Sequence, residues 1–176
     1  MAEPFSIDRN MMNNNTLETL IREELARARA AKTESVDNMV LSLAKQVAEA
    51  VEAEARRIGV NAVVALSDRA ARPVLIHVME DAYIASYDVA LQKAYTVVAL
   101  KMSTMELKPL AQPGASLYGI QFTNDGQIVI FGGGEPLKIG DRVIGGLGVS
   151  GGSEEQDAAL AAYGAKVFAR LVSASD

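Results

Sequence analysis

The spacing of its β-type runs limits this chain more than any other feature. Val60–Leu66 and Pro73–Met79 are rich in aliphatic and β-branched residues, and only the polar stretch Ser67-Asp68-Arg69-Ala70-Ala71-Arg72 separates them. A parallel crossover takes about a dozen residues or more, so a connection this short joins antiparallel neighbours. Leu117–Thr123 and Gln127–Phe131 flank Asn124-Asp125-Gly126, and Asp-Gly between apolar runs signals a second hairpin. Gly132-Gly133-Gly134-Glu135-Pro136 breaks that strand, Arg142–Val149 supplies a fifth, and Gly151-Gly152 ends it.

Between these runs the apolar period changes from two to that of a helix. Ser35 can cap a helix over residues 35–58 whose stripe is Val36, Met39, Val40, Leu43, Val47, Val51 and Ile58, with Gly59 placed to end it. Residues 82–102 repeat the pattern through Tyr87, Leu91, Ala94, Tyr95, Val98 and Met102, and Pro109 and Pro113 punctuate the loop that follows. Ser153 and Gln156 form a capping box for a last helix with Leu160, Val167, Phe168 and Leu171 on its buried face. The reading is α+β: a mostly antiparallel five-stranded sheet covered by helices.

A further helix precedes this domain. Residues 1–15 are polar and read as disordered. Thr16 is placed as an N-cap, and Leu17, Leu20, Ile21, Leu25 and Ala28 recur on one helical face. A helix this short is marginal alone in water, so its stripe needs a partner surface, either this domain or another protein. The expected organisation is a disordered start and amphipathic helix over 1–34 and one domain over 35–176; the resemblance given below implies that the helix is of targeting type.

Composition removes several function classes. The chain has no cysteine, which excludes disulfides, thiolate nucleophiles, zinc fingers and iron–sulfur sites, and fits a reducing cytoplasm. Its net charge is −5 with basic and acidic residues interspersed, unlike the basic footprint of a nucleic-acid binder. No apolar run approaches the roughly 20 residues that span a bilayer, so neither nucleic acid nor membrane is an expected partner.

Three motifs bear on chemistry. Gly146-Leu147-Gly148-Val149-Ser150-Gly151 matches the dinucleotide pattern G-x-G-x-x-G, but it lies inside a strand, Arg170 sits where an acid is required, and Glu154, Glu155 and Asp157 would repel phosphates. Close backbone approach explains these glycines better. Ser150 lacks nucleophile-elbow spacing. His77, the only histidine, lies on a strand face with Leu75 and Met79. It is either a hydrogen-bonded strand residue or a ligand to haem iron. Tyr83, Tyr87 and Tyr95 share a helix with Lys93; Lys93, Tyr118 and Gly132–Gly134 either pack as ordinary structure or line a pocket.

The segments Ser116-Leu117-Tyr118-Gly119-Ile120-Gln121, Ile130-Phe131-Gly132-Gly133-Gly134-Glu135-Pro136-Leu137 and Gly145-Gly146-Leu147-Gly148-Val149-Ser150-Gly151-Gly152, with Gln156-Asp157 and Lys93-Ala94-Tyr95-Thr96, resemble the GlcG/HbpS-like haem-binding family. That family includes the C-terminal domain of propanediol-utilisation corrinoid adenosyltransferases. The resemblance covers about residues 36–172. It implies a profilin-like sandwich, symmetric homo-oligomers, and a haem or corrinoid (cobalamin) cofactor, with His77, Lys93, Tyr118, Gly132, Gly133 and Gly134 as candidate binding residues and His77 as candidate iron ligand. The family's Arg-Met-Asp/Glu-Gly-Ala segment appears here as Val78-Met79-Glu80-Asp81-Ala82, without the arginine. The separate adenosyltransferase domain is absent, so that activity is not implied.

Thr16-Leu17-Glu18-Thr19-Leu20-Ile21-Arg22-Glu23-Glu24-Leu25 resembles the encapsulation peptides of bacterial microcompartment enzymes. It implies a shell or cargo partner bound through residues 16–29. Together the two resemblances imply an accessory tetrapyrrole-binding protein of diol or glycerol metabolism, located in the cytoplasm and inside a microcompartment. The alternatives are a non-catalytic oligomeric assembly protein and an enzyme on a small metabolite, with Lys93, Tyr118 and Asp157 near a pocket.

Overall fold

The structure, a computed structural model, describes residues 38–173 together with Thr19, Arg22 and Glu23. The rest of the expected segment over 1–34, the proposed cap Ser35 and Val36 lie outside the described residues.

The element order is α1 (Leu41–Arg57), β1 (Val63–Asp68), β2 (Pro73–Val78), α2 (Ile84–Leu100), α3 (Thr104–Leu110), β3 (Gly134–Ile139), β4 (Arg142–Ser150) and α4 (Glu154–Ser173). One antiparallel sheet runs β2-β1-β4-β3. β1 is buried along its whole length, as the central position of a two-sided sheet demands.

Helices cover both faces. Val64, Leu66, Leu147 and Val149 pack with Val47, Val51, Leu160 and Phe168 of α1 and α4. Val63 and Ala65 pack with Ala90 and Ala94 of α2 on the other face. The strand glycines serve this second contact. A Cβ at Gly146 would meet the Ala94 carbonyl oxygen, and one at Gly148 the Ala90 carbonyl oxygen. Glycine therefore lets α2 lie directly on β4, as the sequence pattern implied.

The expected hairpin over 117–131 does not form. Ile120–Phe122 and Asn124–Gly126 are single 3-10 turns. The Thr96 hydroxyl of α2 accepts from the Val129 amide at 3.0 Å, and its one hydrogen faces the Gln92 carbonyl at 2.8 Å with the Gln127 carbonyl at 3.2 Å beside it. Those side-chain bonds replace a ladder. The strand lies instead at Gly134–Ile139, so the described residues hold four strands rather than five. Pro136 is tolerated there because β3 is an edge strand.

Two helices also differ from expectation. α1 begins at Leu41, and α3 occupies the supposed loop with Pro109 inside it and a complete capping box between Ser103 and Glu106. α2 buries Ala90, Lys93, Ala94 and Val97, while Tyr87 of the expected stripe is exposed.

Candidate functional site

The sheet separates the sequence-predicted site residues. His77 sits on β2 opposite Val64, which places it on the α1 face. A bulge at Leu66/Ser67 turns Val74 to the same face, where Val74, Leu75 and Met79 pack on the main core. The His77 Nδ1 contacts a carboxylate oxygen of Glu52 from α1. The His77 side chain is 33% exposed and the Glu52 side chain 14%. Glu52 in turn bridges Arg56 at 3.2 Å. A carboxylate on one imidazole nitrogen fixes ring orientation and raises the basicity of the other, which is the usual support of a metal-bound histidine.

Lys93 is on α2, across the sheet. Its side chain is fully buried, and its ammonium donates to Asp157 Oδ2 at 2.9 Å and to the Val149 carbonyl at 2.8 Å. It also lies 5.0 Å from the centroid of the Phe131 ring, within cation–π range. Burial pushes the Lys93 amine below its usual value, and the Asp157 and Glu154 carboxylates only partly restore it.

Gly132–Gly134 arch over this pair. Gly133 has φ +111°, and a Cβ there would stand 2.5 Å from Lys93 Nζ and 2.6 Å from the Val149 carbonyl. Two of the loop's amides are held: Gly132 donates to Glu154 at 2.8 Å and Gly134 to Thr104 Oγ1 at 2.9 Å. Glu154 also accepts from Lys108 at 2.5 Å. The Lys108 ammonium, followed by the Gly132 amide, holds the Glu154 carboxyl below its usual value despite some burial. Lys93 and the three glycines thus form one closed knot binding α2, α3 and α4. Tyr118 is exposed in the loop after α3 and makes no part of it.

A cleft of about 500 Å³ opens at one end of the sheet, lined by Gly59, Asn61, Asp81, Tyr83, Gly151, Ser153 and Gln156 among others. None of the six sequence-predicted site residues lines it. The capping box at its rim forms as expected: Ser153 N donates to Gln156 Oε1 at 2.9 Å, and Gln156 N to Ser153 Oγ at 3.3 Å. Asp81, in the segment where the resembled pattern carries glycine, adopts φ +60°. The cleft has no single-residue signal in sequence because three separate connections, α1–β1, β2–α2 and β4–α4, build it. Glu52 was also missed, since on a helix it reads as one more solvated acid. No group of three or more His, Cys, Asp or Glu among the described residues could hold a metal by itself, and no described helix is long and apolar enough to cross a membrane.

Comparison with known proteins places this architecture. Residues 39–166 match the family described as haem degrading protein HbpS-like. The 15.0 kDa protein of the dhaT-dhaS intergenic region of Citrobacter freundii is 44% identical, over 80% of this chain and 99% of its own length. The Citrobacter freundii corrinoid adenosyltransferase PduO is 35% identical, over 88% of this chain but only 46% of that protein. Among solved structures, Klebsiella pneumoniae protein ORFY shares 44% identity with TM-score 0.73, covering 74% of this chain and 90% of the other. A PduOC:heme complex shares 37% identity with TM-score 0.71, covering 74% and 94%. Family match, identity over nearly the full length of a relative and shared fold agree: the chain belongs to the HbpS-like family.

Proposed function

We propose that this chain binds haem or a related tetrapyrrole, with His77 as the protein ligand to iron. The observation that carries the reading is the Glu52–His77 pair. Glu52 engages Nδ1, which leaves Nε2 of a partly exposed ring to bind a metal. The likeness to a haem-bound PduOC supports the choice of ligand. Bound haem would supply an iron centre for electron and ligand exchange. The chain's own residues hold the imidazole, orient it through Glu52, and offer the Arg56 guanidinium to a propionate. Titration of the full chain with haem, and separately with cobalamin, tests this. A Soret shift that His77→Ala abolishes supports it, and an unchanged haem spectrum for the wild type removes it.

The cellular setting belongs to the same proposal. Residues 16–29 act as a tag that brings the protein to a microcompartment shell or cargo partner, in a diol- or glycerol-metabolising compartment. The likeness of residues 16–25 to encapsulation peptides supports this, as does the relationship to PduO. A fluorescent fusion should enter shells when intact and stay outside once residues 1–30 are deleted. Entry that survives the deletion rejects the tag.

The cleft favours a second reading. Its lining offers amide, hydroxyl and carboxylate groups but no cation, which suits a small polyol or amine better than a propionate-bearing macrocycle. Calorimetric titration with glycerol and with a short diamine, repeated with Asn61→Leu, checks it; heat unaffected by the substitution counts against the cleft.

A further inference from the structure

The cleft at the end of the sheet presents side chains that the fold itself does not use. Asn61, Asp81 and Tyr83 line it, and none of these three side chains has a hydrogen-bond or ion-pair partner among the described residues. Gln156 is bonded at one end only. Its Oε1 accepts from Ser153 N at 2.9 Å, which leaves the two Nε2 hydrogens for a guest. Glycine at 152 permits this arrangement, since a Cβ there would stand 2.7 Å from Gln156 Oε1.

The cleft does not suit an anion. The start of α4 lies at its rim, but the amides there are already engaged. Gly152 N donates to Asp157 Oδ1 at 2.9 Å, Ser153 N to Gln156, and Gln156 N to the Ser153 hydroxyl at 3.3 Å. Glu155, which accepts from the Ser153 hydroxyl at 2.8 Å, adds a negative charge beside them. No lysine, arginine or histidine is among the lining residues. Arg56 and Arg57, at the end of α1, are paired with Glu52 and Glu54.

Asp81 sets the preference for a cation. It sits in a turn after β2 that Ala82 N closes by donating to the Met79 carbonyl at 3.1 Å, and its φ is +60°. Glycine is favoured at such a position because a Cβ is strained there. The turn nevertheless carries an exposed carboxylate on the wall of the cleft. A strained polar residue at a cleft points to a use for its side chain. Tyr83 follows two positions later, 74% exposed, and supplies an aromatic ring of the kind that attracts ammonium groups.

We propose that the cleft binds a small hydroxylated amine, with the Asp81 carboxylate accepting from the ammonium and Gln156 and Asn61 bonding the hydroxyls. The assignment rests on the second reading above, that the cleft is a small-molecule site, and fixes the class of molecule. Charge and hydroxyls must belong to one ligand: a polyol leaves Asp81 without a cation, and a plain amine leaves the Gln156 donors without an acceptor. His77 does not line the cleft, so the haem proposal stands apart.

Amide-resolved NMR titration of the full chain with serinol, glycerol and glycerate tests this. The three molecules share a three-carbon skeleton and carry an ammonium, no charge and a carboxylate. Serinol should shift the Asn61, Asp81, Gly151 and Gln156 amides and bind at least about tenfold tighter than glycerol, while glycerate leaves them unmoved. Asp81→Asn, which tolerates the same backbone, should reduce serinol to the glycerol level. Asp81→Gly should do so without lowering the midpoint of thermal unfolding, which separates lost binding from lost fold. Serinol no tighter than glycerol, or a serinol advantage that survives Asp81→Asn, overturns the assignment and leaves the small-molecule reading standing. No shift at these amides with any of the three removes both.

Discussion

The Lys93 ammonium meets Asp157 Oδ2 at 2.9 Å, with the two side chains 0% and 6% exposed. Asp157 is also held from its other oxygen, which accepts from Gly152 N at 2.9 Å. Its place in the first turn of α4 adds the favourable end of the helix dipole. One buried ion pair thus fixes α2 to the start of α4 and sets the path of the glycine loop above it.

Removing one partner of such a pair leaves an uncompensated buried charge. Lys93→Met should destabilise the fold by about 3–5 kcal/mol in urea unfolding. Lys93→Met with Asp157→Asn, which keeps an acceptor for Gly152 N but removes the orphan charge, should recover about 1–3 kcal/mol of that loss. A double variant no more stable than the single one would show that the carboxylate was never left uncompensated.

Two backbone positions predict opposite signs. Gly133→Ala places a methyl against Lys93 Nζ and the Val149 carbonyl at φ +111°, and should cost about 3 kcal/mol or more. Ala71, in the β1–β2 turn, already sits at φ +60°, where an L side chain is disfavoured. Ala71→Gly should raise stability by about 1 kcal/mol. Thermal unfolding of both variants beside the wild type decides the pair.

Asp68 makes the acid side of stability legible. Burial pushes its carboxyl up, but the amides of Arg72 and Ala70, at 2.9 and 2.8 Å, and then the Arg72 guanidinium outweigh it, so the group lies below its usual 3.8. A depressed folded value means stabilisation that is complete above the unfolded value and lost as pH falls through the folded one. Unfolding free energy should therefore drop as pH falls below about 4. Asp68→Asn should cost about 1–2 kcal/mol at neutral pH and make that acid decline shallower. Equal slopes in the two proteins would remove Asp68 from the account.

Glu52→Gln tests the support behind His77. The amide keeps size and a hydrogen bond but loses the charge on Nδ1, so haem affinity should fall about 10–100-fold while the fold persists. Spectroscopic titration measures it, and unchanged affinity would place the iron ligand elsewhere.

Local rules that need no partner were readable from sequence. The short polar stretch after Leu66 forced β1 and β2 to be antiparallel, Ser153 and Gln156 capped α4, and Gly146 and Gly148 announced close backbone approach. Where tertiary hydrogen bonds competed, local signals lost. Asp125 and Gly126 adopt the positive φ of 55° and 75° that a hairpin turn wants, yet the Val129 amide donates to Thr96 of α2 and no strand forms there. Gly-Gly-Gly-Glu-Pro reads as a breaker, yet β3 starts within it because an edge strand needs fewer amide donors and Thr104 supplies an acceptor. Lys93 is buried in an ion pair that sequence could not show, because its partner Asp157 lies 64 positions away. Sequence fixes what a residue and its near neighbours prefer; only the packed structure decides which distant group compensates a charge or claims an amide, since that depends on separations the linear order does not contain.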